Sequence, residues 1–297
     1  MLLHFLLCMI FYVATTASEQ HARPKITGVA HVRVYANNVE EIAKFYTAFL
    51  GLKSRAKNCG GKAELCFAVN DRQEIQIVPA SDPPVDTFLA EVAFATDDLA
   101  GMRRYLLAHD VAAGAIAKNE DGSQYFALRD PENHALAFVQ LAANKSFSPE
   151  SKQVSERLLH AGFVVRDSAT ENRFYREILG FKLYWHGGFK ETNDDWEELQ
   201  VPDGSDWIEY MLNIPAAADH RELGVQNHFS LGVKSMNPAL ERLRANGLQT
   251  EATPQIGRDG KMQLNLYDPD ATRVEFMEFE PSQQPCCNAY TAPHPKP

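Results

Sequence analysis

The chain repeats itself. The segment HVRVYANNVEEIAKFYTAFLGL, beginning at His31, recurs as HAGFVVRDSATENRFYREILGF, beginning at His160. In both copies the histidine precedes a Phe-Tyr pair by 14 residues, and Leu-Gly closes the segment at Leu50-Gly51 and Leu179-Gly180. A second pair of segments begins at Glu91 (EVAFATDDLAGMRRYLLAHDV) and at His228 (HFSLGVKSMNPALERLRANGL), and each leads to an Asp-Pro turn, Asp130-Pro131 and Asp268-Pro269. The four unit starts are spaced by 60, 69 and 68 residues. The fold must therefore be one that a chain can build four times over.

Each unit reads as a strand, a helix and three strands. Phe229, Leu231 and Val233 alternate with His228, Ser230 and Gly232, which is the period of a half-buried strand. Ala43, Tyr46, Phe49 and Leu50, and in the fourth unit Leu240, Leu243 and Leu248, mark the helical stretch that follows. Glycine-rich or Asp-Pro turns then separate short β segments, of which WIEYML and RVEFMEF are the clearest. The expected class is α+β, with four βαβββ units arranged as two domains, 26–142 and 155–281. The polar stretch from Asn144 to Gln153 reads as their linker, and 282–297 as a Pro-rich tail. A chain of 297 residues, 45% apolar and 23% charged, can bury cores of that size.

Residues 1–18 read as an export signal. The run from Met1 to Val13 is apolar, shorter than the roughly 20 residues of a membrane-spanning helix, and followed by the small residues Thr15-Thr16-Ala17. The expected location is periplasmic or secreted, with an N-terminal membrane anchor as the alternative. Cys8 lies inside the apolar run. Cys59, Cys66, Cys286 and Cys287 are too few for a disulfide scaffold and lack zinc-type C-x-x-C spacing. Folding about Gly60-Gly61 places Cys59 opposite Lys62 and not Cys66. Cys286-Cys287, among five prolines, reads as an extended and poorly packed end, with soft-metal binding alongside His294 as the less favoured reading. The net charge of −10 excludes a phosphate backbone as the natural partner.

The doubled FYxxxLG motif and the Asp-Pro turn leading into a glutamate-bearing strand resemble the vicinal oxygen chelate superfamily, which includes glyoxalase I, bleomycin resistance proteins and extradiol dioxygenases. The resemblance spans about residues 26 to 281. It implies paired βαβββ units whose sheets form a half-open barrel around a metal, and it leaves the reaction open.

Strand alternation identifies which side chains would face that cup. Val274 and Phe276 suit the helix side, leaving Arg273, Glu275 and Met277 on the other face. By the same rule Glu209 lies opposite Ile208 and Leu212, His160 opposite Ala161, Phe163 and Val165, and His228 opposite Phe229, Leu231 and Val233. His160 precedes Glu209 by 49 residues and His228 precedes Glu275 by 47. Two imidazoles and two carboxylates suit one divalent ion, Zn, Ni, Co, Mn or Fe(II), with positions left for water or substrate. A lone strand histidine or glutamate is usually only a satisfied polar residue; four at matched repeat positions carry more weight. The first half has His31, Gln76, Glu91 and Ala137 at those positions, so it reads as a degenerate, mainly structural copy.

Loops around the second cup offer His186, Arg258, Lys261 and Tyr267 as candidate substrate contacts, with Arg258 and Lys261 able to hold a carboxylate. Trp185, Trp196 and Trp207 read as aromatic cover, and the acidic run Glu191 to Glu198 as a solvated face. The leading function is a metal-dependent lyase or isomerase resembling glyoxalase I, with Glu209 or Glu275 moving a proton between adjacent carbons of a small oxygen-chelating substrate. The resemblance also admits an extradiol-type dioxygenase, with Fe(II) on His160, His228 and Glu275 and with His186 or Tyr267 as acid or base, and a non-catalytic small-molecule binding protein. The expected partner is a small molecule, without nucleic acid or a stable membrane partner, for a monomer or homodimer.

Overall fold

Both Phe-Tyr motifs fold into the same local structure. In the computed structural model, which describes residues 22–56, 65–80, 88–143 and 147–297, helix α1 (Val39–Lys44) starts at Asn38, whose side chain accepts from the backbone N–H groups of Glu40 and Glu41. It runs on as a π-helical turn, Phe45–Phe49. In the second half, α3 (Ser168–Asn172), capped by Asp167, runs on as Arg173–Ile178. Both turns stop at Leu-Gly, with Gly51 and Gly180 at φ of +71° and +78°, a left-handed conformation that glycine adopts without steric cost. The export segment with Cys8, and Cys59 with its turn, lie outside the described residues; Cys66 is buried and disulfide-bonded.

In the first half, the two units supply β1 (Ile26–Ala36), β2 (Lys53–Ala56), β3 (Leu65–Ala68) and β4 (Glu74–Pro79), then β5 (Leu89–Thr96), α2 (Leu99–Ala108), β6 (Ala117–Lys118), β7 (Gln124–Arg129) and β8 (Ala135–Gln140). The second half repeats this with β9 (Arg157–Val164), β10 (Lys182–Gly187), β11 (Trp196–Gln200) and β12 (Trp207–Met211). After a short connecting helix α4 (His220–Gln226) come β13 (His228–Val233), α5 (Met236–Ala245), β14 (Gln255–Ile256), β15 (Met262–Tyr267) and β16 (Arg273–Glu278). Each half is one eight-stranded sheet, in the orders β2-β3-β4-β1-β5-β8-β7-β6 and β10-β11-β12-β9-β13-β16-β15-β14. First strands pair antiparallel with each other, and each pairs parallel with the last strand of its own unit. The four strands expected to carry ligands are thus contiguous in the second sheet.

The repeated motifs join the halves. Tyr46 stacks on Phe67 of its own half and on Phe229 of the other, and its hydroxyl donates to Asp268 at 3.3 Å. Reciprocally, the Tyr175 hydroxyl donates to Asp130 at 3.0 Å. Each Phe-Tyr turn therefore locks onto the Asp-Pro turn of the opposite half. One continuous apolar core, including Phe94, Phe138, Phe163 and Phe276, spans both and supplies most of the driving force for keeping them together.

Candidate metal centre

Register turns the repeat into a site. On the cup face of the second sheet, Glu209 pairs with Gly162 and Gly162 with His228, forming one row across β12, β9 and β13. The next row runs Trp207, His160, Ser230, Glu275. Gly162 is the gap between two long side chains: a Cβ there would stand 2.2 Å from Cε1 of His228.

Three of the four side chains named from the sequence, His160, Glu209 and His228, bring ligand atoms within 4.8 Å of one another, and Glu275 stands beside them through His160. His160 Nε2 lies 3.1 Å from His228 Nε2, 3.8 Å from Glu209 Oε2 and 3.3 Å from Glu275 Oε2; His228 Nε2 lies 3.2 Å from Glu209 Oε2. His228 Nδ1 is 2.9 Å from the Gln226 carbonyl, which fixes the proton there and turns the Nε2 lone pair inward. Arg273 Nη2 stands 2.6 Å from that same nitrogen. His160 packs against the Trp207 ring at 4.8 Å. Burial, then the charge of the facing group, holds both imidazoles well below their usual pKa: His228 and then Arg273 for His160, Arg273 for His228. Burial lifts Glu209 to about 7 and Glu275 to about 8. Among the described residues Glu275 Oε2 has no well-aligned hydrogen-bond donor. Two imidazoles and a carboxylate with ligand atoms within 4.8 Å of one another, and a second carboxylate beside His160, are an N2O2 donor set that fits a divalent cation once Arg273 withdraws from His228 Nε2.

These shifts fix the pH dependence of metal uptake. The imidazoles are already neutral, whereas Glu209 and Glu275 carry protons at neutral pH that a cation must displace. Affinity is therefore expected to rise by about 10²- to 10³-fold from pH 6 to pH 8, with release of one to two protons. Titration calorimetry in buffers of different ionisation enthalpy measures both; a pH-independent affinity would contradict the burial of these carboxylates.

The first cup is closed by its own chain. The row equivalent to Glu209–Gly162–His228 is Gln76–Arg33–Glu91. Arg33 takes the glycine's place and fills the cup: its Nε and Nη2 donate to Gln76 Oε1 at 3.0 and 2.7 Å, and its Nη1 meets Glu91 Oε1 at 2.9 Å. His31 Nε2 is 3.1 Å from the same oxygen. Ala137, in the place of Glu275, is buried and apolar. A guanidinium thus supplies the positive charge of the first cup.

An open cavity of about 180 Å³ leads to the second cup, lined by Trp185, Trp196, Glu198, Arg258, Arg273 and the two glutamates among others. Of the four loop residues expected near substrate, only Arg258 lines it. His186 faces aside to Asp194 at 2.7 Å. Tyr267 stands on the cup side of β15 but at its outer end, 48% exposed. Lys261 is not free to hold a substrate carboxylate: it is fully buried, 3.3 Å from the Tyr184 hydroxyl and 4.3–5.1 Å from the centres of the Trp207, Tyr184 and Tyr290 rings.

Two further expectations need correction. Glu198 is not on a solvated face; it pairs with Glu209 across β11 and β12 and is buried, because β11 points alternate residues of that acidic run into the cup. The Pro-rich tail is not loose. Asn288 accepts from the Trp185 indole at 3.0 Å, Tyr290 donates to Asp259 at 3.1 Å, and His294 Nδ1 lies 2.6 Å from the Tyr184 hydroxyl. The large rings of β10 need cover, and the tail supplies it. Cys286 and Cys287 are joined to each other as a disulfide, so they offer no thiolate to a soft metal.

This geometry defines a paired-βαβββ protein whose second cup gathers a candidate set of metal ligands. The family model described as the glyoxalase/bleomycin resistance protein/dioxygenase superfamily matches residues 28–138 and 157–276, and the chain belongs to that superfamily. Among solved structures, it is similar to the 2,3-dioxygenase LapB from Pseudomonas sp. KL28 (18% identity, 89% of this chain and 97% of that one, TM-score 0.64). It is likewise similar to homoprotocatechuate 2,3-dioxygenase from Brevibacterium fuscum in complex with 3,4-dihydroxyphenylacetate (16%, 92% and 84%, 0.61). A third is the Mn(II)-bound glyoxalase from Novosphingobium aromaticivorans (16%, 86% and 83%, 0.63). At these identities the likeness establishes the fold. No curated protein sequence matches the chain.

Proposed function

We propose that this protein is a metal-dependent lyase or isomerase resembling glyoxalase I, acting on a small substrate that carries oxygens on adjacent carbons. The observation that carries the reading is Glu209, whose Oε2 stands 3.2 Å from His228 Nε2 and adds a second carboxylate to the two histidines and Glu275. His160, Glu209, His228 and Glu275 would hold one divalent ion, Zn, Ni, Co, Mn or Fe(II). Bound there, it would polarise a substrate oxygen and acidify the neighbouring C–H. Glu209 and Glu275, with affinities for protons near neutrality, are suited to take a proton from one carbon and return it to the next. Trp185 and Trp196 flank the reacting region, and Arg258 can meet an anionic substituent. The apolar run at the start of the chain supports export of the enzyme.

An extradiol-type dioxygenase is the second reading, favoured by the two named 2,3-dioxygenases of the same fold and by the subset His160, His228 and Glu275. Glu209 separates the two. The lyase or isomerase reading expects α-hydroxycarbonyl compounds in D2O to exchange the C–H between the oxygens, followed by NMR, and expects Glu209→Gln to slow exchange by about 10²- to 10⁴-fold. Rapid oxygen uptake with catechols by the Fe(II)-loaded protein, undiminished in Glu209→Gln, would reverse the ranking. Absence of both activities in metal-loaded protein would leave a binding protein.

A further inference from the structure

The two Tyr–Asp locks that join the halves are equivalent by the repeat, yet their surroundings differ. At the first, Tyr46 and Asp268 are accompanied by Ile42, four residues before the tyrosine, and Thr272, four residues after the aspartate, whose backbone N–H donates to Asp268 at 2.9 Å. Ile42 and Thr272 are both fully buried. At the second, the same two positions around Tyr175 and Asp130 are Glu171 and His134. The turn is conserved in form, since His134 N–H donates to Asp130 at 2.8 Å. The uncharged pair is replaced by a carboxylate and an imidazole, which the lock itself does not need.

These groups converge. The ligand atoms of Asp130, His134 and Glu171 all lie within 4.8 Å of one another, and His134 Nδ1 is 2.8 Å from Asp130 Oδ2. Glu171 has no exposed surface; its Oε1 accepts from Glu132 N–H at 2.8 Å, while Oε2 is buried with no donor among the described residues. The Asp130 and Glu171 carboxylates are thus both buried and close to one another inside the protein. Metal bonds of about 2.0–2.2 Å place neighbouring donor atoms about 3–4 Å apart, a spacing this triad reaches with small side-chain adjustments. His134, with a quarter of its side chain exposed, provides the way in.

We propose that Asp130, His134 and Glu171 form a second divalent-metal site, distinct from the cup, at the seam between the two halves. One neutral imidazole and two carboxylates cancel the ion's charge and leave positions for water, a set suited to Zn, Mn or Co. The ion ties the Asp-Pro turn of the first half to α3 of the second.

Stoichiometry tests this independently of the cup. Full-length protein is stripped with chelator, reloaded with Zn2+ alone, freed of excess ion, and counted by elemental analysis and native mass spectrometry. The seam site predicts two ions per wild-type chain, one in Glu171→Gln, one in His134→Gln, and one in a His160→Ala/His228→Ala cup variant. It also predicts that Zn2+ raises the melting temperature of the cup variant but not of that variant carrying Glu171→Gln. His134→Gln, at a partly exposed position, reads the site even where Glu171→Gln fails to fold. A cup variant that takes up no Zn2+, or seam variants that keep the wild-type count, would overturn the proposal. Failure of the cup reading is a different result, a cup variant with the same count as wild type.

Discussion

A chain carrying Gly162→Arg together with His228→Glu is expected to fold, to lose the cation of the second cup, and to lose activity by about 10³-fold or more, since forfeiting several kcal/mol of charge stabilisation corresponds to at least that factor. The double change writes the Arg33–Glu91 row of the first cup into the second. There the guanidinium already bridges Gln76 and Glu91, so the first half shows that the sheet tolerates this solution. Gly162→Ala alone should act in the same direction more weakly, because the new Cβ displaces the His228 ring without supplying a replacement charge. Far-UV circular dichroism, ion counting and turnover are the three readouts. A folded double variant that retained the cup ion would show that the glycine gap does not control occupancy.

That contrast is present in the sequence. Two residues after each first-strand histidine stand Arg33 and Gly162, and their difference acquires meaning only once register sets them beside Glu91 and His228. What alternation could reveal was facing, and it placed His160, Glu209, His228 and Glu275 on one side of their strands. It does not reveal partners across strands, so an acidic run reads as solvated even where one member, Glu198, lies beside Glu209. Nor could it show depth: Arg258 and Lys261, three residues apart, ended in the cavity and beneath it. The Phe-Tyr and Asp-Pro motifs were plain as repeats, but their contact joins residues 222 and 45 positions apart, a relation no local pattern encodes. Proline content made the tail look loose. The rings of Tyr184 and Trp185, which the tail buries, determine its packing instead.

Lys261→Met is the second large effect, on stability instead of chemistry. Lys261 is a buried ammonium whose pKa is lowered by burial and supported by the charges of Glu198, Asp259, Glu275 and Glu209. Methionine keeps the volume and the contact with the Trp207 and Tyr290 rings, so the loss is electrostatic. Removing one partner of a buried charge set typically costs about 3–5 kcal/mol, because the remaining charges are left uncompensated. The sign of the pH dependence follows from the carboxylates. Burial raises Asp259 to about 6 and Glu198 well above the usual range, so each stabilises the fold below its unfolded pKa and loses that contribution as pH rises through its folded value. Without Lys261 their folded pKa values climb further. The deficit of the variant that comes through Asp259 should therefore be small near pH 5, below its folded pKa of about 6, and should grow as the pH rises through and above that value. Urea midpoints of metal-free wild-type and variant proteins at pH 5 and pH 8 measure it. A deficit that stayed constant with pH would assign the role of Lys261 to packing within its aromatic cage and not to its charge.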